Sequence, residues 1–247
     1  MQNFIRHPFL KASASTALAL FIAARYFQEV LPMAASALIA LSLVGLMHEF
    51  LEDNRIAIWE QKNDSHQVNE LLARRIATIF FGIFATAGVL QILYPAGVIA
   101  QSTPLALAFR NSLVPLLLHN LAVLSVFIFL AALYRAGGLV VVLAWNALHW
   151  SQTLVGYLEI IIERDGVIRG LIVGVTLLPH LIFESVSYII AGMSGVFLSK
   201  AFAKYSLSSP QFQQVSKATL GLMLASLVLI LIAALFEIYL AQPIFHG

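Results

Sequence analysis

Leu177-Leu-Pro-His-Leu-Ile-Phe-Glu-Ser-Val-Ser-Tyr-Ile-Ile-Ala-Gly-Met-Ser-Gly195 puts His180 and Glu184 four residues apart, on one face of a helix. The run around them is apolar enough for a lipid bilayer. An imidazole and a carboxylate facing lipid cost a few kcal/mol each, so both are expected to turn inward, toward polar groups on neighbouring helices.

Working outward, composition sets the class. Of 247 residues 60% are hydrophobic and only 11% charged, and the mean hydropathy is +0.90. These values describe an all-α, polytopic transmembrane helical bundle and leave almost no length for a soluble domain. The 14 Lys and Arg residues sit at the ends of apolar runs as topological markers, so no nucleic-acid partner is expected. Without Cys, disulfides and thiolate metal sites are excluded.

About seven membrane segments are expected. Ala12 to Val30 and Met33 to Leu51 read as a tight helical hairpin turning at Leu31-Pro32, and residues 1–51 form an N-terminal hairpin region. Residues 52–75 carry nine charges and read as a polar cytoplasmic segment, either a solvated connector or a surface helix or helical pair at the membrane interface with Trp59 at headgroup depth. The membrane core domain is expected over residues 76–247. Ile76 to Tyr94 is its first span. Leu105 to Tyr134 is too long for one crossing and is divided by Asn111 and Pro115 into a lead-in helix and a true span. Gly137-Gly138 makes the next turn, and Leu139 to Ile162 crosses again. Gly170 to Leu178 is either a re-entrant half-helix before Pro179 or the start of one long kinked helix reaching Leu198. The last span runs from Ala218 to Ala241.

With seven crossings, ten of the basic residues fall on the N-terminal side and four (Arg25, Arg110, Arg164, Arg169) on the other. The positive-inside rule then expects a cell-membrane protein with a cytoplasmic N-terminus and an external C-terminus.

The polar residues within these spans are His119 and Asn120, Asn146 and His149, His180 and Glu184, and Glu237. Asn146, His149, Thr153 and Gly156 recur at three- and four-residue intervals and are expected to share a face. Three readings of the collected cluster stand beside one another: interhelical hydrogen-bond glue, a proton or ion relay, and a divalent metal site in which His149, His180 and Glu184 are the ligands. Two ligands on one helix do not make a site. His48-Glu-Phe-Leu-Glu52 lacks the second His of a zinc-protease helix and reads as a polar helix end. No catalytic triad, phosphate loop or nucleophile elbow is present, so no catalytic residue and no cofactor is expected.

Leu178-Pro-His-Leu-Ile-Phe-Glu184 with Ile189-Ile-Ala-Gly-Met-Ser-Gly195 resembles the Pro-His-Gly-x-x-Glu segment and downstream Ala-Gly-x-x-Gly of the stage II sporulation protein M family of membrane proteins. Leu118-His-Asn-Leu-Ala-Val123, Trp145-Asn-Ala-Leu-His-Trp150 and Leu235-Phe-Glu-Ile-Tyr-Leu-Ala-Gln-Pro243 resemble further family segments in the same order. The resemblance covers residues 76–247 and departs from the pattern at Leu181 and Ala147, where the family has Gly. It implies an integral membrane scaffold that organises or recruits other envelope proteins, with no catalysis of its own. The alternative is an ion, proton or small-solute transporter using the His/Glu/Asn cluster; less favoured is an intramembrane metalloenzyme. The partners expected are the lipid bilayer, other membrane or envelope proteins and, through glycine-rich helix faces, a second copy of the chain.

Overall fold

In the computed structural model, residues 7–61, 64–94 and 113–241 are described, and among them the chain is all-helical. Seven α-helices follow one another: α1 (Pro8–Tyr26), α2 (Leu31–Trp59), α3 (Ser65–Leu93), α4 (Leu113–Tyr134), α5 (Ala136–Asp165), α6 (Val167–Lys204) and α7 (Pro210–Phe236). A single 3-10 turn (Gln28–Val30) joins α1 to α2, and a π-helical turn (Glu237–Ala241) prolongs α7. Six of these helices, α2 to α7, are long and apolar enough to cross a membrane. This is a multi-pass membrane protein. Large apolar side chains such as Leu41, Phe21 and Ile168 are exposed, as lipid contact allows.

The chain forms two compact units. The first comprises residues 1–100 and 133–152. Within it α1 presents the small or slender residues Ala12, Thr16, Ala19, Leu20 and Ala23, at helical spacing, to α2 and α3. The approach to α3 is close. A methyl on Gly82 would lie 2.9 Å from the Phe9 carbonyl oxygen and 3.0 Å from Ala12 Cβ, and Ser13 Oγ donates to the Gly82 carbonyl at 3.4 Å.

The polar stretch 52–75 is not an element of its own. Its described residues are largely the adjoining ends of α2 and α3, with Asp64 as the N-cap of α3. Helix-forming residues and local ion pairs, Arg55 with Glu52 at 2.6 Å and with Glu60 at 3.0 Å, carry α2 beyond its apolar part. Across the hairpin Asn54 Nδ2 donates to Asn69 Oδ1 at 3.0 Å, and Arg75 pairs with Asp53 at 3.0 Å while lying over the Phe50 ring. Helix α3 therefore starts well before Ile76, in the same unit as α1 and α2, and the boundaries read at 51 and 75 do not separate compact bodies.

Gly137 and Gly138 do not make the turn before α5; they lie inside its first turn. The break between α4 and α5 falls at Arg135, whose φ of 52° is left-handed and whose carbonyl accepts from Leu139 N–H. The lead-in helix expected before Pro115 falls outside the described residues.

The second unit comprises residues 101–132 and 153–247. Gly166, with φ of 89°, turns α5 into α6. Helix α6 runs unbroken through Pro179 for 38 residues, so of the two readings of Gly170 to Leu178 the continuous helix holds. Proline removes one N–H, yet the helix continues on either side of it. Gly195 of α6 meets the Ile128 carbonyl and Ala131 of α4. Helix α7 begins at Pro210, eight residues before the expected Ala218, because the Ser209 hydroxyl caps Phe212 N–H at 3.2 Å and Pro210 occupies the first helical turn.

Candidate functional site

The longest buried stripe in the second unit is on α6, and its repeat of four places His180, Glu184 and Tyr188 one above the other. All three are at least 97% buried. Tyr188 donates its hydroxyl to Glu184 Oε1 at 2.6 Å, while its ring stacks on Phe127 of α4 at 4.8 Å. The other carboxylate oxygen, Glu184 Oε2, lies 3.0 Å from His180 Nε2. From the far end of α7, Glu237 brings Oε2 to 3.4 Å of the same nitrogen.

The opposite edge of the imidazole determines the chemistry. His180 Nδ1 is 3.0 Å from the Ala233 carbonyl oxygen, and a carbonyl can only accept. Nδ1 therefore carries a hydrogen, and Nε2 is the nitrogen whose proton can come and go. It faces two carboxylates, although a single N–H satisfies one acceptor well. The four side chains bring proton donors and acceptors together: Tyr188 is hydrogen-bonded to Glu184, and His180 Nε2 lies at ion-pair distance from Glu184 and Glu237.

Two neighbouring contacts stiffen this arrangement. Ser187 Oγ donates to the Ser226 carbonyl at 2.7 Å, and Phe183 stacks on Phe236 at 5.4 Å, so α6 is tied to α7 on both sides of the cluster. Half-buried Tyr157, in the C-terminal half of α5, lies within electrostatic reach of Glu237.

The other residues singled out from sequence are placed differently. His119 is exposed, which corrects its assignment to the cluster, while its neighbour Asn120 is buried with an Nδ2 that has no hydrogen-bond partner among the described residues. Asn146 is likewise buried, with no partner for Nδ2. His149 is exposed, and the shared face with Asn146 is corrected accordingly. The exposed positions of α5 repeat as Val141, Trp145 and His149, and the edge of the buried face falls between residues 146 and 149. Among the described residues no group of three or more His, Asp or Glu side chains is arranged to hold a metal ion.

Sequence reasoning missed Tyr188, although its spacing from Glu184 repeats that of Glu184 from His180. It also missed Ser151 and Gln152 on α5, which, like Thr153, each have a buried polar atom that finds no partner among the described residues. The Ala233 carbonyl had no signal at all, since alanine carries none. No family model, curated protein or solved structure matches this chain.

Proposed function

We propose that this membrane protein moves protons, alone or together with a solute, through the buried cluster of His180, Glu184 and Glu237. One observation carries the reading: an imidazole whose Nδ1–H is held by Ala233 turns its exchangeable nitrogen toward two carboxylates at 3.0 and 3.4 Å. Hydrogen-bond glue needs one donor and one acceptor. A third titratable group is superfluous for adhesion, but it allows the number of bound protons to change at little electrostatic cost. Ionisable groups inside membrane proteins ordinarily mark proton or ion pathways.

The experiment is proton flux in proteoliposomes loaded with a pH-sensitive dye, under an imposed potential. Wild type should acidify or alkalinise the lumen, and Glu184→Gln, checked for native elution and helicity, should not. Tight vesicles with no proton movement under any gradient or candidate solute would sink the transport reading.

A second reading, a scaffold that organises other envelope proteins, is supported by the paired ties that make α6 and α7 a stiff hairpin, and by the motif resemblance to the stage II sporulation protein M family. It expects a native-membrane complex heavier than the chain and its detergent belt, lost on Glu184→Gln. Migration at the mass of the chain alone would remove it. If α1 crosses together with the six longer apolar helices, the ten-to-four distribution of basic residues places the N-terminus in the cytoplasm and the C-terminus outside. Reporter fusions at each end test the orientation.

A further inference from the structure

The transport reading, on which this inference rests, requires the cluster to meet water somewhere, and three observations select the same member. The side chains of His180 and Glu184 are 1% and 4% exposed, whereas that of Glu237 is 9% exposed. Chain position agrees with exposure. Glu184 is fifteen residues from Arg169 and sixteen from Lys200, so roughly 22–24 Å of helix separates it from a charged residue in either direction. In sequence only Ile238, Tyr239, Leu240 and Ala241 separate Glu237 from the polar Gln242, and the described helix ends at Ala241. Tyr239 is 68% exposed, as tyrosines at a membrane surface are.

The third observation is the backbone. Glu237 opens the π-helical turn, a form of helix concentrated at functional sites, and its N–H is shared between the Ala233 and Ala234 carbonyls. The Ala233 carbonyl that holds His180 Nδ1–H therefore also positions the backbone of Glu237. One oxygen sets both partners of the proton transfer.

We propose that Glu237 is the proton port of the cluster, exchanging protons with water at the C-terminal end of α7, and that Glu184 with Tyr188 is the closed end. The transfer balances simply. Protonated Glu237 gives its O–H proton to Nε2 of neutral His180, leaving a carboxylate and an imidazolium; the imidazolium then gives the Nε2 proton to Glu184 Oε2, while Nδ1–H stays on Ala233. The titratable groups around Glu237 are His180 and, beyond it, Glu184 and Tyr188 from α6, and Tyr157 from α5.

The test is infrared spectroscopy of the purified full-length chain, following the carboxylic-acid carbonyl band after transfer to heavy water. Glu237→Gln should slow exchange of the remaining carboxyl proton by at least about tenfold, because exchange then waits for local opening of the helices. Gly221→Ala, on the same helix but with nothing within 4 Å of the added methyl, should leave the rate unchanged. Wild-type exchange in Glu237→Gln, or equal slowing in Gly221→Ala, overturns the port. Should Glu237→Gln fail to fold, wild-type protein treated with a water-soluble carbodiimide and a small amine answers the same question by mass mapping. Glu237 should be modified before Glu184; modification of Glu184 first, or of neither, overturns the proposal. Exchange through Glu237 in a protein that moves no protons across vesicles would leave the port standing and remove transport.

Discussion

His180 Nδ1 sits 3.0 Å from the carbonyl oxygen of Ala233, a contact between α6 and α7 that fixes which imidazole nitrogen is free to exchange. Because the acceptor cannot donate, the Nδ1 hydrogen should persist in every protonation state of the folded protein. Nitrogen-15 NMR of histidine-labelled protein checks this directly. One buried histidine should keep an N–H signal at Nδ1 across the whole pH range in which the fold survives, while its Nε2 signal changes. A deprotonated Nδ1 at any such pH contradicts the geometry.

Tyr188→Phe separates the hydroxyl from the ring. The stack on Phe127 remains, and the 2.6 Å bond to Glu184 is lost. A buried hydrogen bond contributes roughly 0.5–1.5 kcal/mol, so thermal unfolding in detergent should fall measurably. Tyr188→Ala also deletes a buried ring and should cost ~3–5 kcal/mol. Equal effects of the two substitutions would mean that the hydroxyl contributes nothing.

Gly195 and Gly221 form a matched pair of helix-interior glycines. A methyl at Gly195 would run into the Ile128 carbonyl oxygen and lie 3.1 Å from Ala131 Cβ, so α4 must move; Gly195→Ala should cost ~1–3 kcal/mol. A methyl at Gly221 meets nothing within 4 Å. There the gain in helix propensity acts alone, and Gly221→Ala should be neutral or stabilising by up to ~1 kcal/mol. Denaturation midpoints of the two variants should move in opposite directions or, at the least, differ clearly.

The two turns flanking α5 have opposite needs. Gly166 has φ of 89° and ψ of 167°, a region closed to side chains, so Gly166→Ala should cost ~1–3 kcal/mol although the space around it is open. Arg135 already bears left-handed strain at φ of 52°, and Arg135→Gly should recover about 1 kcal/mol or less. Thermal scans in one detergent suffice. Destabilisation by Arg135→Gly would show that the arginine side chain outweighs its backbone strain.

By itself the sequence determined that this is a helical membrane protein, roughly where its helices lie, and that His180 and Glu184 share a face. Those properties are local, since hydropathy sums over one segment and a four-residue repeat is covalent geometry. Helix ends were less legible. The polar residues 52–75 looked like an independent stretch because composition changes there, yet helix propensity and ion pairs such as Glu52–Arg55 continue α2 past that change. Only the tertiary structure decided which polar residues turn inward. In lipid both faces of a helix are apolar, so no amphipathic stripe marks the buried one. Asn120 is therefore buried beside exposed His119, and Asn146 is buried while His149 is not. Glu237 reached His180, and Ala233 supplied the acceptor that orients it, through contacts across more than fifty residues that no local pattern encodes.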